Sequence, residues 1–174
     1  MRRLSKFIYS NILGWKIVGN TSMSRNKIKK AIIIAAPHTS WHDFHIGILL
    51  RSVLNIKTRF IVKKELFVFP IGFFLRALGG VAIDRHNKEN KVQAIANLFK
   101  KEEEFRIALA PEGTRKKVDK WRTGFYYIAK EANVPILMYT LDFENKQNKI
   151  SEPFYPTDDM EADFEFMYKF YKDV

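Results

Sequence analysis

A histidine and an aspartate five residues apart, His38 and Asp43, are the residues whose types and spacing first suggest chemistry. An imidazole can take up a proton near neutral pH. A carboxylate behind it can hold the ring's tautomer and stabilise the imidazolium that forms. Along one continuous α-helix, five residues advance about 500°, so the two side chains would point roughly 140° apart. They meet only if His38 lies in a loop and Asp43 enters the first turn of the helix that follows. The apolar run Ala31-Ile32-Ile33-Ile34-Ala35-Ala36 just before has the length and composition of a buried strand. Pro37 disfavours helical geometry at Ala36 and ends that strand. The expected arrangement is an imidazole at a strand's carboxyl end with its orienting carboxylate behind it. That is the base half of a catalytic triad, and a substrate that brings its own hydroxyl needs no protein nucleophile.

Three later stretches add to this pair. Gly79-Gly80-Val81-Ala82-Ile83-Asp84-Arg85 is a short apolar run ending in charge. Ala110-Pro111-Glu112-Gly113-Thr114-Arg115 follows the run Phe105–Leu109, and Val134-Pro135-Ile136 opens a further apolar segment. In these four stretches and in their order, the chain resembles the glycerolipid acyltransferase family, whose type member is 1-acylglycerol-3-phosphate acyltransferase. The matching blocks are His38 to Asp43, Gly79 or Gly80 to Arg85, Glu112 to Arg115, and Val134 to Ile136, spanning residues 31–140. The resemblance implies a glycerol-3-phosphate acyltransferase-like fold. It also implies transfer of a fatty acyl group from acyl-CoA or acyl carrier protein to the free hydroxyl of a lysophospholipid, first of all lysophosphatidate to phosphatidate.

In that reading His38 is the general base and Asp43 its orienter. Arg85 and Arg115 bind the acceptor's phosphate, since a guanidinium offers a planar two-donor fork that a lysine lacks. Glu112 belongs to the same site, fixing Arg115 or a glycerol hydroxyl. Gly113 lets backbone approach the ligand, and Thr114 can donate a hydrogen bond. The chemistry requires no cofactor and no metal. Two departures bear on the acceptor: Ala82 stands where the family usually has Phe, and only a 30-residue basic leader precedes the histidine block.

Each of these residues has a plainer reading. Either arginine could be a surface ion pair, with Asp84 an obvious partner. His38 and His42 have the i, i+4 spacing of paired metal ligands, and His45 and His86 could extend such a set. No Glu occupies the general-base position between His38 and His42, however, and a helix beginning near His42 parts the two rings. The acceptor could instead be another lysolipid, such as an acylated amino acid. From another class comes a basic nucleic-acid-binding module; the chain carries no fold signature of one, so nucleic acid is not expected as a partner.

Charge and length narrow the classes further. At 174 residues the chain suits one domain with a sizeable core. It has no cysteine, which removes disulfides from the argument. The formal net charge is +11, with eight Lys and Arg ahead of the first acid, Asp43. The last 25 residues reverse the balance, with seven acids against two lysines. A basic surface of this kind suits an anionic partner: a membrane surface, a phosphorylated substrate or nucleic acid. The longest apolar run, Leu66–Leu75, is about half a membrane span and is interrupted by Pro70 and Gly72. The N-terminus lacks the apolar core of a signal peptide. The expected setting is therefore cytoplasmic and peripheral, at the inner face of the cell membrane.

The elements that must position these residues alternate strand and helix. Residues 1–30 read as a basic amphipathic leader and 31–174 as the acyltransferase domain. Within the leader, a helix over 3–14 puts Leu4, Ile8, Ile12 and Trp15 on one face; it could lie in a membrane interface or pack on the core. Strands are expected at 15–18, 31–36, 57–62, 80–83, 105–109 and 135–143, with an edge strand at 149–154. Helices are expected at 42–54, in two pieces around Pro70, from an Asn87 cap to Lys101, from a Thr123 cap to Asn133, and over 158–172. The fold class is α/β, a single domain with a largely parallel mixed sheet flanked by helices. Open sheets of this kind bind ligands beyond their strands' carboxyl ends, where the first and third blocks fall.

Overall fold

The structure is a computed structural model that describes residues 2–20, 28–38, 40–83, 91–114, 116, 118–172 and 174. Its sheet has seven strands: β1 (Lys16–Gly19), β2 (Lys30–Ala36), β3 (Arg59–Lys63), β4 (Gly80–Ile83), β5 (Phe105–Leu109), β6 (Ile136–Thr140) and β7 (Gln147–Ile150). Their order is β1-β7-β6-β2-β5-β3-β4, and every neighbouring pair is parallel except β6 with β7. The α/β sheet expected from the sequence is present, and it is covered on both faces.

The central strand β2 is apolar without a break over residues 31–36 because a parallel sheet covered on both faces exposes neither. Along β2 the side chains alternate: Ile32 and Ile34 enter one core, Ala31 and Ile33 the other. The first core packs under α4 (Lys91–Lys101), α5 (Gly124–Ala132) and α6 (Met160–Phe170). The second packs under α2 (His42–Leu54) and the N-terminal helix. That helix is α1 (Arg2–Phe7), which runs on as a π-helical turn over Ile8–Ile12. A 3₁₀ turn at Lys64–Leu66 and α3 (Ile71–Ala77) are the two pieces expected around Pro70.

Three points about the expected elements have physical causes. β7 lies inside the sheet and β1 forms the edge, whereas the stretch at 149–154 had been expected to be the edge strand. The polar sequence of β7 suggested exposure, yet Asn148 is fully buried because its partners are supplied from far away. Tyr9 donates its hydroxyl hydrogen to Asn148 Oδ1 at 2.5 Å, and Asn148 Nδ2 donates to the Thr140 carbonyl. The second difference is Thr123, which stands at the N-cap of α5 without a side-chain cap; only its carbonyl serves the first turn. The third point settles an alternative left open for Trp15. Only 5% exposed, it packs against Tyr9 and edge-on to Phe143, so of the two readings it takes the core one. Asn87, the expected cap of α4, lies outside the described residues.

Candidate active site

Adjacent parallel strands deliver their carboxyl ends to one place. β2 and β5 pair with Ile34 opposite Leu109, so His38, four residues on, and Glu112, three residues on, leave the sheet side by side. His38 lies in the loop and Asp43 in the first turn of α2, the one placement in which their spacing lets them meet. They do meet: Nδ1 of His38 is 2.8 Å from Oδ2 of Asp43, with the aspartate side chain 3% exposed and the histidine side chain 27% exposed. The same Oδ2 accepts the Ser40 N–H at 2.9 Å. Oδ1 of Asp43 is buried with no partner among the described residues. A carboxylate accepts only, so Nδ1 carries the proton shared with Asp43 and Nε2 keeps its lone pair. The geometry makes Nε2 a proton acceptor.

Glu112 does something the sequence did not suggest. Both of its carboxylate oxygens lie 3.1 Å from the backbone nitrogen of His38 and accept its N–H. It therefore ties the loop after β5 to the loop that presents His38. Burial pushes the Glu112 carboxyl above the usual carboxylate range, while the His38 N–H and the nearby imidazole oppose that. A raised folded-state pKa means the native protein binds this proton more tightly than the unfolded chain. Its stabilising contribution is present at acid pH and is lost as pH rises through the folded value. Glu112→Gln keeps an oxygen for the His38 N–H and removes the buried charge. The variant is expected to be more stable than the parent near neutral pH, and to lose that advantage as pH falls from the raised folded value to the ordinary glutamate value, about 4. Urea unfolding at a series of pH values measures this; a difference that does not vary with pH would sink the argument.

Gly113 adopts a left-handed backbone, φ +66°. What lies against it is the side chain of Arg122, whose Nε would stand 2.5 Å from a β-carbon placed there. Arg122 also donates its backbone N–H to the Pro111 carbonyl at 2.9 Å. A cation thus sits on the Glu112–Gly113 loop, contributed by a residue outside the four blocks. Thr114 Oγ1 accepts the Lys116 N–H at 3.3 Å. Arg85, Arg115 and His86 lie outside the described residues. From the far end of the chain Tyr171 is buried beneath the site, donating to the Ile34 carbonyl at 2.8 Å, and burial raises its hydroxyl's pKa.

His42 and His45 face elsewhere. His42 Nδ1 is 2.9 Å from Ser40 Oγ with its ring over Trp41, and His45 Nδ1 is 3.3 Å from the Trp41 carbonyl. Among the described residues, no three His, Asp or Glu side chains group as metal ligands. His38 and Asp43 open instead onto a cavity of about 480 Å³ between α2 and the sheet. Phe44, Gly47, Phe60, Val62, Leu75 and Tyr139 are among its walls, and the lining is largely apolar. A proton acceptor at the mouth of an apolar cavity suits a substrate with a long hydrocarbon part and a reactive polar end.

Comparison with known proteins bears on this arrangement. Residues 16–141 match the family model described as Acyltransferase. No curated protein matches the chain. Among solved structures, the fold is similar to that of the 1-acyl-sn-glycerophosphate acyltransferase PlsC from Thermotoga maritima. The TM-score is 0.64 and the identity 21%, over 97% of this chain and 74% of that one.

Proposed function

Because this chain belongs to the acyltransferase family and is an acyltransferase, we propose that it moves a fatty acyl group from a thioester to the free hydroxyl of a lysophospholipid. Lysophosphatidate is the first candidate acceptor, with phosphatidate the product, and acyl-CoA or acyl carrier protein is the donor. The observation that carries this reading is the His38–Asp43 pair at 2.8 Å, opening onto an apolar cavity of about 480 Å³.

The reaction uses groups the chain supplies. Nε2 of His38 takes the proton of the acceptor hydroxyl as that oxygen bonds to the thioester carbonyl carbon. Asp43 stabilises the imidazolium. The tetrahedral adduct collapses with cleavage of the carbon–sulfur bond, and the departing sulfur takes the proton back from Nε2. Histidine ends neutral, and no acyl group ever resides on the protein. The cavity takes the acyl chain, which is apolar and can displace only water there. Arg85 and Arg115 hold the acceptor's phosphate, joined by Arg122 where it lies against Gly113. Among the described residues no helix is long and apolar enough to cross a membrane. A lipid acceptor and a basic protein surface together favour reaction at the anionic inner face of the cell membrane.

The test is purified protein with labelled acyl thioesters, both CoA and carrier-protein forms, against a panel of lysolipids, with products resolved by mass. No transfer to any lysophospholipid would defeat the reading; transfer only to another acylated acceptor would move the substrate and keep the chemistry. Arg115→Lys gives a finer check, since it keeps the charge and loses the fork. The acceptor's KM is expected to rise about tenfold, with the donor's little changed. A loss confined to donor affinity would take Arg115 out of the acceptor site.

A further inference from the structure

We propose that the segment Leu66–Phe74 is a wedge that inserts into an anionic bilayer, with a basic cleft behind it taking a lipid headgroup. The proposal deepens the function above and rests on it for the presence of a bilayer; the docking itself is testable separately.

The segment turns its apolar side chains the wrong way for a core. Phe69 is 92% exposed, Phe73 67% and Phe74 61%, and Leu66, Val68 and Ile71 are exposed as well. Within α3 Gly72 is buried against the turn that leads into the helix, so close to Phe67 that a β-carbon there would lie 2.5 Å from the Phe67 backbone. A helix that packs through a glycine and points its phenylalanines outward has the reverse of ordinary amphipathic design. A contiguous apolar patch of this size marks an interaction surface.

Position says what the surface meets. Leu66 and Leu75 line the cavity that opens at His38, so the wedge flanks the cavity, where an acyl chain could pass from a bilayer without crossing water. α1 covers the same sheet face and also exposes Leu4, Phe7 and Ile12. Between the start of α1, the end of α2 and the end of α3 lies a second cavity of about 840 Å³. Arg2, Arg51, Lys57, Arg59 and Arg76 line it against one acid, Glu104. Arg51 donates to the Thr58 and Leu78 carbonyls, Arg59 to Glu102 and Arg2 Nε to the Val53 carbonyl, while the Arg76 guanidinium lies 5.4 Å from the centre of the Phe67 ring, so Lys57 and Arg76 are the cations left to meet a headgroup. Cations lining an open cleft fit a phosphate-bearing headgroup.

Charge along the chain favours a bilayer over a second copy of the protein. Residues 1–83, the stretch that contains α1, α2 and the wedge, hold fourteen Lys and Arg and only two acids, Asp43 and Glu65; the remainder hold sixteen against seventeen. A two-fold dimer through the wedge would bring the two basic faces together, whereas an anionic membrane neutralises one.

The experiment uses the full chain with vesicles of phosphatidylcholine, alone or containing phosphatidylglycerol, and a double variant, Phe69→Ser with Phe73→Ser. Both sites are exposed, so the fold should survive, as a thermal melt would verify. Each ring is worth about tenfold in partitioning, so the double variant should sediment with vesicles at least tenfold less. It should also lose transfer to vesicle-borne acceptor while keeping transfer to a short-chain acceptor in free solution. Lys57→Glu with Arg76→Glu should abolish the preference for phosphatidylglycerol and leave the weaker binding to phosphatidylcholine. Unchanged sedimentation of the serine variant overturns the wedge. So does an equal loss on the soluble acceptor, or a wild-type dimer that the variant dissolves. If the wild type acylates no lysolipid, the proposed function fails, while sedimentation still decides the docking.

Discussion

Replacing His38 by alanine is expected to lower kcat/KM for acyl transfer by about 10²–10⁴-fold, the usual worth of a positioned general base. The fold should hold, because the ring is 27% exposed in a loop after β2 and contributes little packing. Asp43→Asn should also be severe. The neutral amide cannot stabilise the imidazolium, and an amide turned with its NH₂ in the place of Oδ2 selects the tautomer whose Nε2 is already protonated. That ring cannot accept the hydroxyl proton. His42→Ala is the control: its ring touches Ser40 and Trp41, not Asp43, so its effect should be mild. Steady-state kinetics on the three variants measure this. A loss below about tenfold for His38→Ala would remove it from the base role. A His42 variant as damaging as the His38 one, with activity abolished by a chelator, would put a metal there instead.

Truncating Tyr9 to alanine is expected to cost about 4 kcal/mol, within the range for deleting a fully buried aromatic side chain. Its ring is fully buried, and its hydroxyl is one of two partners that satisfy the buried Asn148 on β7. The variant therefore leaves a cavity and an unpaired carbonyl together. For a chain of this size the melting temperature should fall by about 10 °C. Tyr9→Phe, which deletes only the hydrogen bond, should cost about 1 kcal/mol. Leu4→Ala and Ile12→Ala, on the exposed side of the same helix, should stay within about 0.5 kcal/mol. Denaturant unfolding of the four variants measures this; a Tyr9→Ala cost below about 1 kcal/mol would show that the N-terminal helix is not part of the folded unit. For the same reason membrane binding is better tested with point variants than by deleting residues 1–19, since that deletion removes Tyr9, Trp15 and strand β1.

What could be read from the sequence is what near neighbours determine. The apolar run Ala31–Ala36, stopped by Pro37, makes a strand; the period of the α-helix then leaves one placement in which His38 and Asp43 meet, and that placement is the observed one. The helix over His42–Leu54 and the strands at Gly80–Ile83 and Phe105–Leu109 follow from apolar spacing and turn residues within ten or so positions. The resemblance in four short blocks supplied the family. None of this says which strand lies beside which.

That is decided by burial summed over the whole molecule. β2 and β5 are neighbours though about 75 residues separate them, and only that adjacency brings the Glu112 carboxylate to the His38 N–H. No motif encodes a carboxylate bound to a distant backbone group, because the donor is present at almost every residue. The N-terminal helix shows the same limit. Its apolar stripe is equally compatible with membrane and core, and what settles Tyr9 and Trp15 is an Asn148 buried in a strand that looked like an edge. Arg122 against Gly113 is a third case, a contact made by two turns of loop closing on each other. Local spacing determined that His38 and Asp43 meet, and long-range packing decided what holds them in place.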